Sequence, residues 1–179
     1  YETVDWTPPE GGRLTDAIYE EYGLQSIRIP GAQAHPTKLV QSAAMASIAP
    51  PKPGYRPMLP ANICDLLSDA QLETVIFAGE AHSDFLAGSW TVDETFDNIH
   101  AAPEGAENAV RFRRGCCLGD ATGCGKDRQF AGIIRDMTAR TITAAHSKIR
   151  ALLDLDPAQV EAIVTRVKAK QFPIGADLV

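Results

Sequence analysis

Residues 118–129 read Leu118-Gly119-Asp120-Ala121-Thr122-Gly123-Cys124-Gly125-Lys126-Asp127-Arg128-Gln129, and no other stretch constrains the chain as strongly. A short apolar run, Arg114-Gly115-Cys116-Cys117-Leu118, leads into it, and a helical pattern, Phe130-Ala131-Gly132-Ile133-Ile134, leads out. Apolar strand, glycine-rich turn, lysine and helix, in that order, make the layout of a phosphate-binding loop. Glycines let the backbone turn tightly and aim several N–H groups at an anion. The helix that follows adds the positive end of its dipole. Lysine at the helix entrance supplies a point charge for the outer phosphates. The competing reading is a strand-to-helix turn that binds nothing.

The loop departs from the general pattern G-x-x-x-x-G-K-[ST]. Asp120 stands at the first glycine position and Asp127 at the Ser/Thr position, whose hydroxyl normally touches Mg²⁺. A carboxylate at 127 either binds the metal directly or repels the phosphates.

Charge is distributed to match. The chain is 179 residues long with a net charge of −6, which argues against wholesale nucleic-acid binding. Residues 1–110 hold 5 Lys and Arg against 16 Asp and Glu; residues 111–150 hold 9 against 3. The basic segment therefore carries the glycine loop, as an anion site requires, and is the one place where nucleic-acid contact is expected. Pairing between the acidic and basic parts is the plainer explanation.

Length suits one domain, expected as a Pro/Gly-rich arm (1–60), a phosphate-loop core (61–150) and a C-terminal helix (151–179). Within the arm, Pro8-Pro9-Glu10-Gly11-Gly12 excludes a helix, Thr15–Tyr22 reads as a short helix, and Ile27 with Ile29 reads as extended. Residues 39–48 are small and apolar, and their periodicity fits strand or helix. Prolines 50, 51, 53, 57 and 60 then impose an extended path over the surface. Ser68 and Gln71 form the capping-box pattern of a helix over 68–82. Residues 88–98 read as a loop or irregular hairpin, 103–108 as a loop, and 110–118 as a strand. Helices are expected over 126–139, 142–153 and 157–170, the last started by Asp156-Pro157. The fold class predicted is α+β, mostly helical, with a small sheet and an incomplete strand-loop-helix unit.

Cys64, Cys116, Cys117 and Cys124 lack metal-ligand spacing and are expected as buried, reduced thiols of a cytoplasmic protein. His35, His82, His100 and His146 show no metal spacing either. No run is long enough to span a membrane, and no signal-peptide pattern is seen at the start.

Five ordered segments carry a family resemblance: Ala32-Gln33-Ala34-His35-Pro36, Gln41–Ser47, Tyr55-Arg56-Pro57 with Leu59-Pro60, Leu67–Glu73, and Leu118–Ile134. In order and spacing they resemble the front of strawberry-notch-type helicases, whose bacterial members occur on mobile elements. That family is similar to superfamily 2 helicases and Swi/Snf-type translocases, with the nucleotide loop Asp-x-x-Gly-x-Gly-Lys. Asp120, Gly123, Gly125 and Lys126 meet it. Asp127 replaces the family's usual glycine, and Ala121 replaces a second one. The resemblance implies ATP with Mg²⁺ as cofactor, bound through Gln71, Asp120, Gly123, Gly125, Lys126, Asp127 and Arg128. Gln71 matches the family's adenine-reading glutamine, or is simply a cap. An acidic box on a later strand and a second lobe with arginines are not found after Ile134. Two readings follow. One is a divergent nucleotide-binding module unable to hydrolyse ATP alone. The other is a non-enzymatic, protein-binding inhibitor or anti-defence protein derived from that front end.

Overall fold

The computed structural model describes residues 1–8, 18–95 and 97–153, with 158, 161, 162 and 165. The chain forms two compact units, Tyr1–Asp136 and Met137–Val179. In order, the elements are β1 (Glu2–Thr3), β2 (Tyr19–Glu21), β3 (Ile27–Arg28), β4 (Val40–Ser42), α1 (Ala43–Ala46), α2 (Ala61–Cys64), α3 (Asp69–Ser83), β5 (Ser89–Val92), β6 (Ile99–Ala102) and α4 (Lys126–Leu153). The strands form three separate antiparallel pairs, β1 with β3, β2 with β4 and β5 with β6. Helices and small antiparallel ribbons together agree with the α+β class.

The first unit is built on α3. Its start is set locally: Ser68 Oγ accepts from Gln71 N at 3.3 Å, and Gln71 Oε1 accepts from Ser68 N at 3.0 Å. Both orphan amides are thereby satisfied, as the capping-box pattern predicts. Apolar residues occupy several faces of α3, so it is buried rather than amphipathic. Leu67, Leu72 and Val75 form the core, with Ile29, Ala32, Leu59, Cys64 and Ile133 packed on it. Gly132 permits the close approach of α4: a Cβ there would lie 2.8 Å from Val75 Cγ2.

A strap of irregular backbone, residues 50–60, passes α3 near Gly79 and Glu80. The prolines keep it out of helix and sheet, so its amides need side-chain acceptors. Glu80 Oε2 accepts from Gly54 N at 3.0 Å and from Tyr55 N at 2.6 Å. Asp136 accepts from Met58 N at 2.5 Å and from the Tyr55 hydroxyl. The Tyr55 ring lies directly over Gly79, where a Cβ would come within 2.0 Å of its Cε1.

Several sequence expectations change. The strand expected over 110–118 is only half formed. Residues 110–114 run antiparallel beside 84–90, with Val110 N donating to Trp90 O at 2.7 Å and Arg114 N to Asp84 O at 2.9 Å. From Gly115 onward no described backbone lies alongside, and a strand without a neighbour has nothing to hold it. Tyr19–Glu21 is strand rather than the end of a helix over 15–22, because Val40–Ser42 pairs with it; the preceding residues lie outside those described. The ambiguous 39–48 stretch is both things in turn, β4 then α1. Ser89–Val92 pairs with Ile99–Ala102 in a regular antiparallel ribbon.

The helices expected over 126–139 and 142–153 are one helix, for no glycine or proline stands between Ile134 and Leu153 to break it. The cysteines are not fully buried: Cys116 and Cys117 are exposed, Cys124 is half-buried, and Cys64 is half-buried against the core, all four free. Lacking a covering sheet, the 115–118 run cannot bury them.

In the second unit, the hydroxyls of Thr141, Thr143 and Ser147 donate to the carbonyls four residues back at 3.0–3.1 Å, so these polar residues satisfy themselves within α4. Ala158, Glu161, Ala162 and Thr165 are helical. The rest of the helix expected over 157–170, and most of the 151–179 segment, lies outside the described residues. No described helix is long and apolar enough to cross a membrane.

Candidate functional site

The glycine loop enters α4 through two left-handed residues, Gly123 (φ 97°) and Gly125 (φ 71°). Side chains disfavour this conformation, which explains glycine at both. At Gly125 there is a second reason. A Cβ would lie 2.5 Å from Gln71 Nε2, which instead donates to Cys124 O at 3.1 Å. Gln71 thus spans two elements, with its Oε1 in the α3 cap and its Nε2 on the loop.

Gly125 O accepts from Arg128 N and Gln129 N, which starts α4. Ahead of these, the amides of Lys126 and Asp127 have no backbone acceptor among the described residues, so they form an anion-binding end. Lys126 Nζ donates to the carbonyls of Asp120 (2.8 Å) and Ala121 (3.0 Å), folding the ammonium over the loop. Exposed Asp127 sits in the first turn, where the helix dipole favours a carboxylate.

Four of the seven expected site residues meet at one cavity of about 390 Å³, lined by Gln71, Gly123, Gly125 and Arg128 together with Gln33 and His35. Its volume is in the range of small-molecule sites. Asp120 is not among that lining: its Oδ2 accepts from Gln129 Nε2 at 2.7 Å. Lys126 and Asp127 lie on the loop and helix entrance rather than in the cavity wall.

Two polar residues near the loop were not anticipated from sequence. Gln129 is almost fully buried and holds Asp120. Glu73, buried in α3, accepts from the Tyr22 hydroxyl. Burial and then the Asp120 charge push its carboxyl up to about 7. The available signal was a lone acid within the apolar run Leu72–Phe77.

Part of the basic segment is engaged locally. Arg111 and Arg113 stack on Phe85 at 4.8 and 4.6 Å, Arg113 Nη1 donates to His82 O at 2.8 Å, and Arg114 pairs with Asp84 at 3.3 Å. These contacts cap the C-terminal end of α3, which cations favour.

Comparison with known proteins agrees with this geometry. The family model described as P-loop containing NTP hydrolase pore-1 matches residues 34–153. The Caenorhabditis elegans protein strawberry notch homolog is 31% identical over 118 residues, 65% of this chain and 5% of the relative. The Drosophila melanogaster protein strawberry notch is 29% identical over 118 residues, 65% of this chain and 6% of the relative. Human protein strawberry notch homolog 1 is 30% identical, again over 65% of this chain and 7% of its own. The chain thus spans well under a tenth of the length of these relatives. No solved structure matches it. Matched across 34–153, which takes in wall residues 34–37, the α3 cap, the glycine loop and α4, the chain belongs to the P-loop containing NTP hydrolase pore-1 family.

Proposed function

We propose that this chain is the phosphate-binding front of a strawberry-notch-like helicase module and takes ATP with Mg²⁺. The observation that carries the reading is the cavity shared by Gln71, Gly123, Gly125 and Arg128 at the entrance of α4. In this reading the phosphates take the Lys126 ammonium from the carbonyls of Asp120 and Ala121. The opening amides of α4 face the phosphates. Base and sugar occupy the cavity between residues 33–37 and the α3 cap. Gln71 acts mainly by positioning, since its amide already joins the cap to Cys124 O.

Asp127 then serves the metal. Unpaired, its charge about 4 Å from a phosphate would cost on the order of 4 kcal/mol at an effective dielectric near 20, about a thousandfold in affinity. The Asp127 carboxylate would hold Mg²⁺ when the metal is bound, and the metal's positive charge would offset that repulsion.

Calorimetric titration with ATP tests the assignment. Wild type binds in the presence of Mg²⁺ and much more weakly without it, and Lys126→Ala abolishes binding. Failure to bind MgATP would sink the reading. Hydrolysis needs an acidic box and arginines from a second lobe, which residues after Ile134 do not supply. A turnover of even about one per second by this chain alone would contradict that second part.

A further inference from the structure

Glu73 has no part in the nucleotide contacts just described, yet its surroundings are unusual for a carboxyl. It lies buried on α3, along the wall of a second cavity of about 420 Å³ shared with Tyr22, Phe77, Cys116, Cys117 and Leu118. Its one hydrogen-bond donor among the described residues is the neutral hydroxyl of Tyr22. No lysine, arginine or histidine pairs with it among those residues. Buried carboxylates ordinarily require such a partner.

The surrounding groups are neutral or negative. The residues after β2 contribute Tyr22, the run before the loop contributes Cys116 and Cys117, and the loop contributes the Asp120 carboxylate. That Asp120 carboxylate is held by Gln129 Nε2 of α4. Lys126, the loop's cation, is turned onto the Asp120 and Ala121 carbonyls. Burial with one neutral donor and no cation among the described residues favours the protonated form of the carboxyl.

We propose that Glu73 is held as a neutral acid against Asp120, and that this proton couples phosphate binding at the loop to pH. The position of the carboxyl's titration, about 7, places the change within reach of ordinary conditions. Ionised Glu73 would set a second negative charge beside Asp120, whose main-chain oxygen holds Lys126. Phosphates arriving at the loop add further negative charge, so binding favours the protonated form. By linkage, a site that prefers the protonated form takes up protons on binding, and its affinity falls as pH rises. Glu73 is thus a positioning residue rather than a contact to the nucleotide. The coupling rests on the nucleotide reading above; the neutral acid does not.

The first arm therefore uses no nucleotide. In the full chain labelled with carbon-13 at glutamate carboxyls, the resonance lost in Glu73→Gln titrates near neutrality, and Asp120→Asn moves its midpoint down. An ordinary carboxylate midpoint, or one unmoved by Asp120→Asn, overturns the proposal. So does a large shift of the midpoint by Mg²⁺ alone, which would make the pair a cation site. Glu73→Gln keeps the shape of the neutral acid and Asp120→Asn keeps an acceptor for Gln129, so both variants preserve the packing.

The second arm is MgATP calorimetry at about pH 7.5 in two buffers of different ionisation heat. Wild type shows net proton uptake, its affinity falls by up to about tenfold per pH unit above the midpoint, and Glu73→Gln shows neither. Buffer-independent heats in wild type, or unchanged uptake in Glu73→Gln, would refute the coupling. Absence of any nucleotide binding removes the function proposed above and with it the coupling, while the carboxyl titration still decides the neutral acid.

Discussion

Two irregular segments lead into the working parts of the first unit, and they are held in opposite ways. The strap, residues 50–60, has no regular secondary structure, yet Glu80, Asp136 and Tyr1 bond its backbone. Tyr1 alone donates to Pro53 O at 3.0 Å and Tyr55 O at 2.6 Å. The lead-in, residues 115–119, also lacks secondary structure, and its backbone has no backbone partner among the described residues. Irregular backbone is therefore specified here only where side chains take over the role of a neighbouring strand. What matters is whether amides and carbonyls find partners, not which dihedrals they adopt.

That contrast can be broken at its strongest point. Asp136→Ala removes the carboxylate that accepts from the Tyr55 hydroxyl and the Met58 amide, in a site only 1% exposed. A loss of about 2–6 kcal/mol in denaturant unfolding is expected, from roughly 1–3 kcal/mol for each of the two groups that lose this acceptor. A loss below about 1 kcal/mol would mean that the Asp136 carboxylate does not hold the strap.

Next in size is Glu73, which lies on the cavity wall next to the lead-in. Its carboxyl is neutral in the fold up to about pH 7 but ionises near 4.5 when exposed. A raised value favours folding fully at low pH. The advantage starts to fall above pH 4.5 and is gone above about 7. Glu73→Gln removes the dependence and stabilises the protein at about pH 8 by about 3 kcal/mol. Denaturant midpoints across the range measure this, and a wild type flat between these values would contradict it.

Gly79→Ala sharpens the comparison from the packing side. The added methyl would overlap the Tyr55 ring at 2.0 Å, so the ring and the strap must shift. Overpacking of this kind costs about 1–3 kcal/mol. Thermal unfolding would report it, and an unchanged midpoint would show that Tyr55 is free to move.

The smallest effect is expected at Gly115→Ala in the lead-in. Nothing lies within 4 Å of an added Cβ and the backbone there is not left-handed. The change should stay within about 0.5 kcal/mol. A larger loss would reveal partners for the lead-in that the fold does not show.

Sequence alone determined the parts whose physics is local. Ser68 and Gln71 start α3 because each satisfies the other's amide within one turn. Gly123, Gly125 and Lys126 make a phosphate-type loop because backbone freedom and helix polarity are local properties. The absence of a breaker between Ile134 and Leu153 makes one helix, although two were expected. Tertiary structure decided whatever needed a partner from elsewhere. Tyr19–Glu21 became a strand because Val40–Ser42 lies beside it, and 115–118 did not because no described backbone does. Gln71 proved to be a bridge to Cys124, a contact between residues 53 apart that no spacing rule encodes. Glu73 reads as an ordinary helix acid; only burial beside Asp120, with Tyr22 as its donor, makes it a neutral one. Hydrogen bonds within a turn are written in the order of residues, whereas desolvation and long-range pairing exist only once the chain has closed on itself.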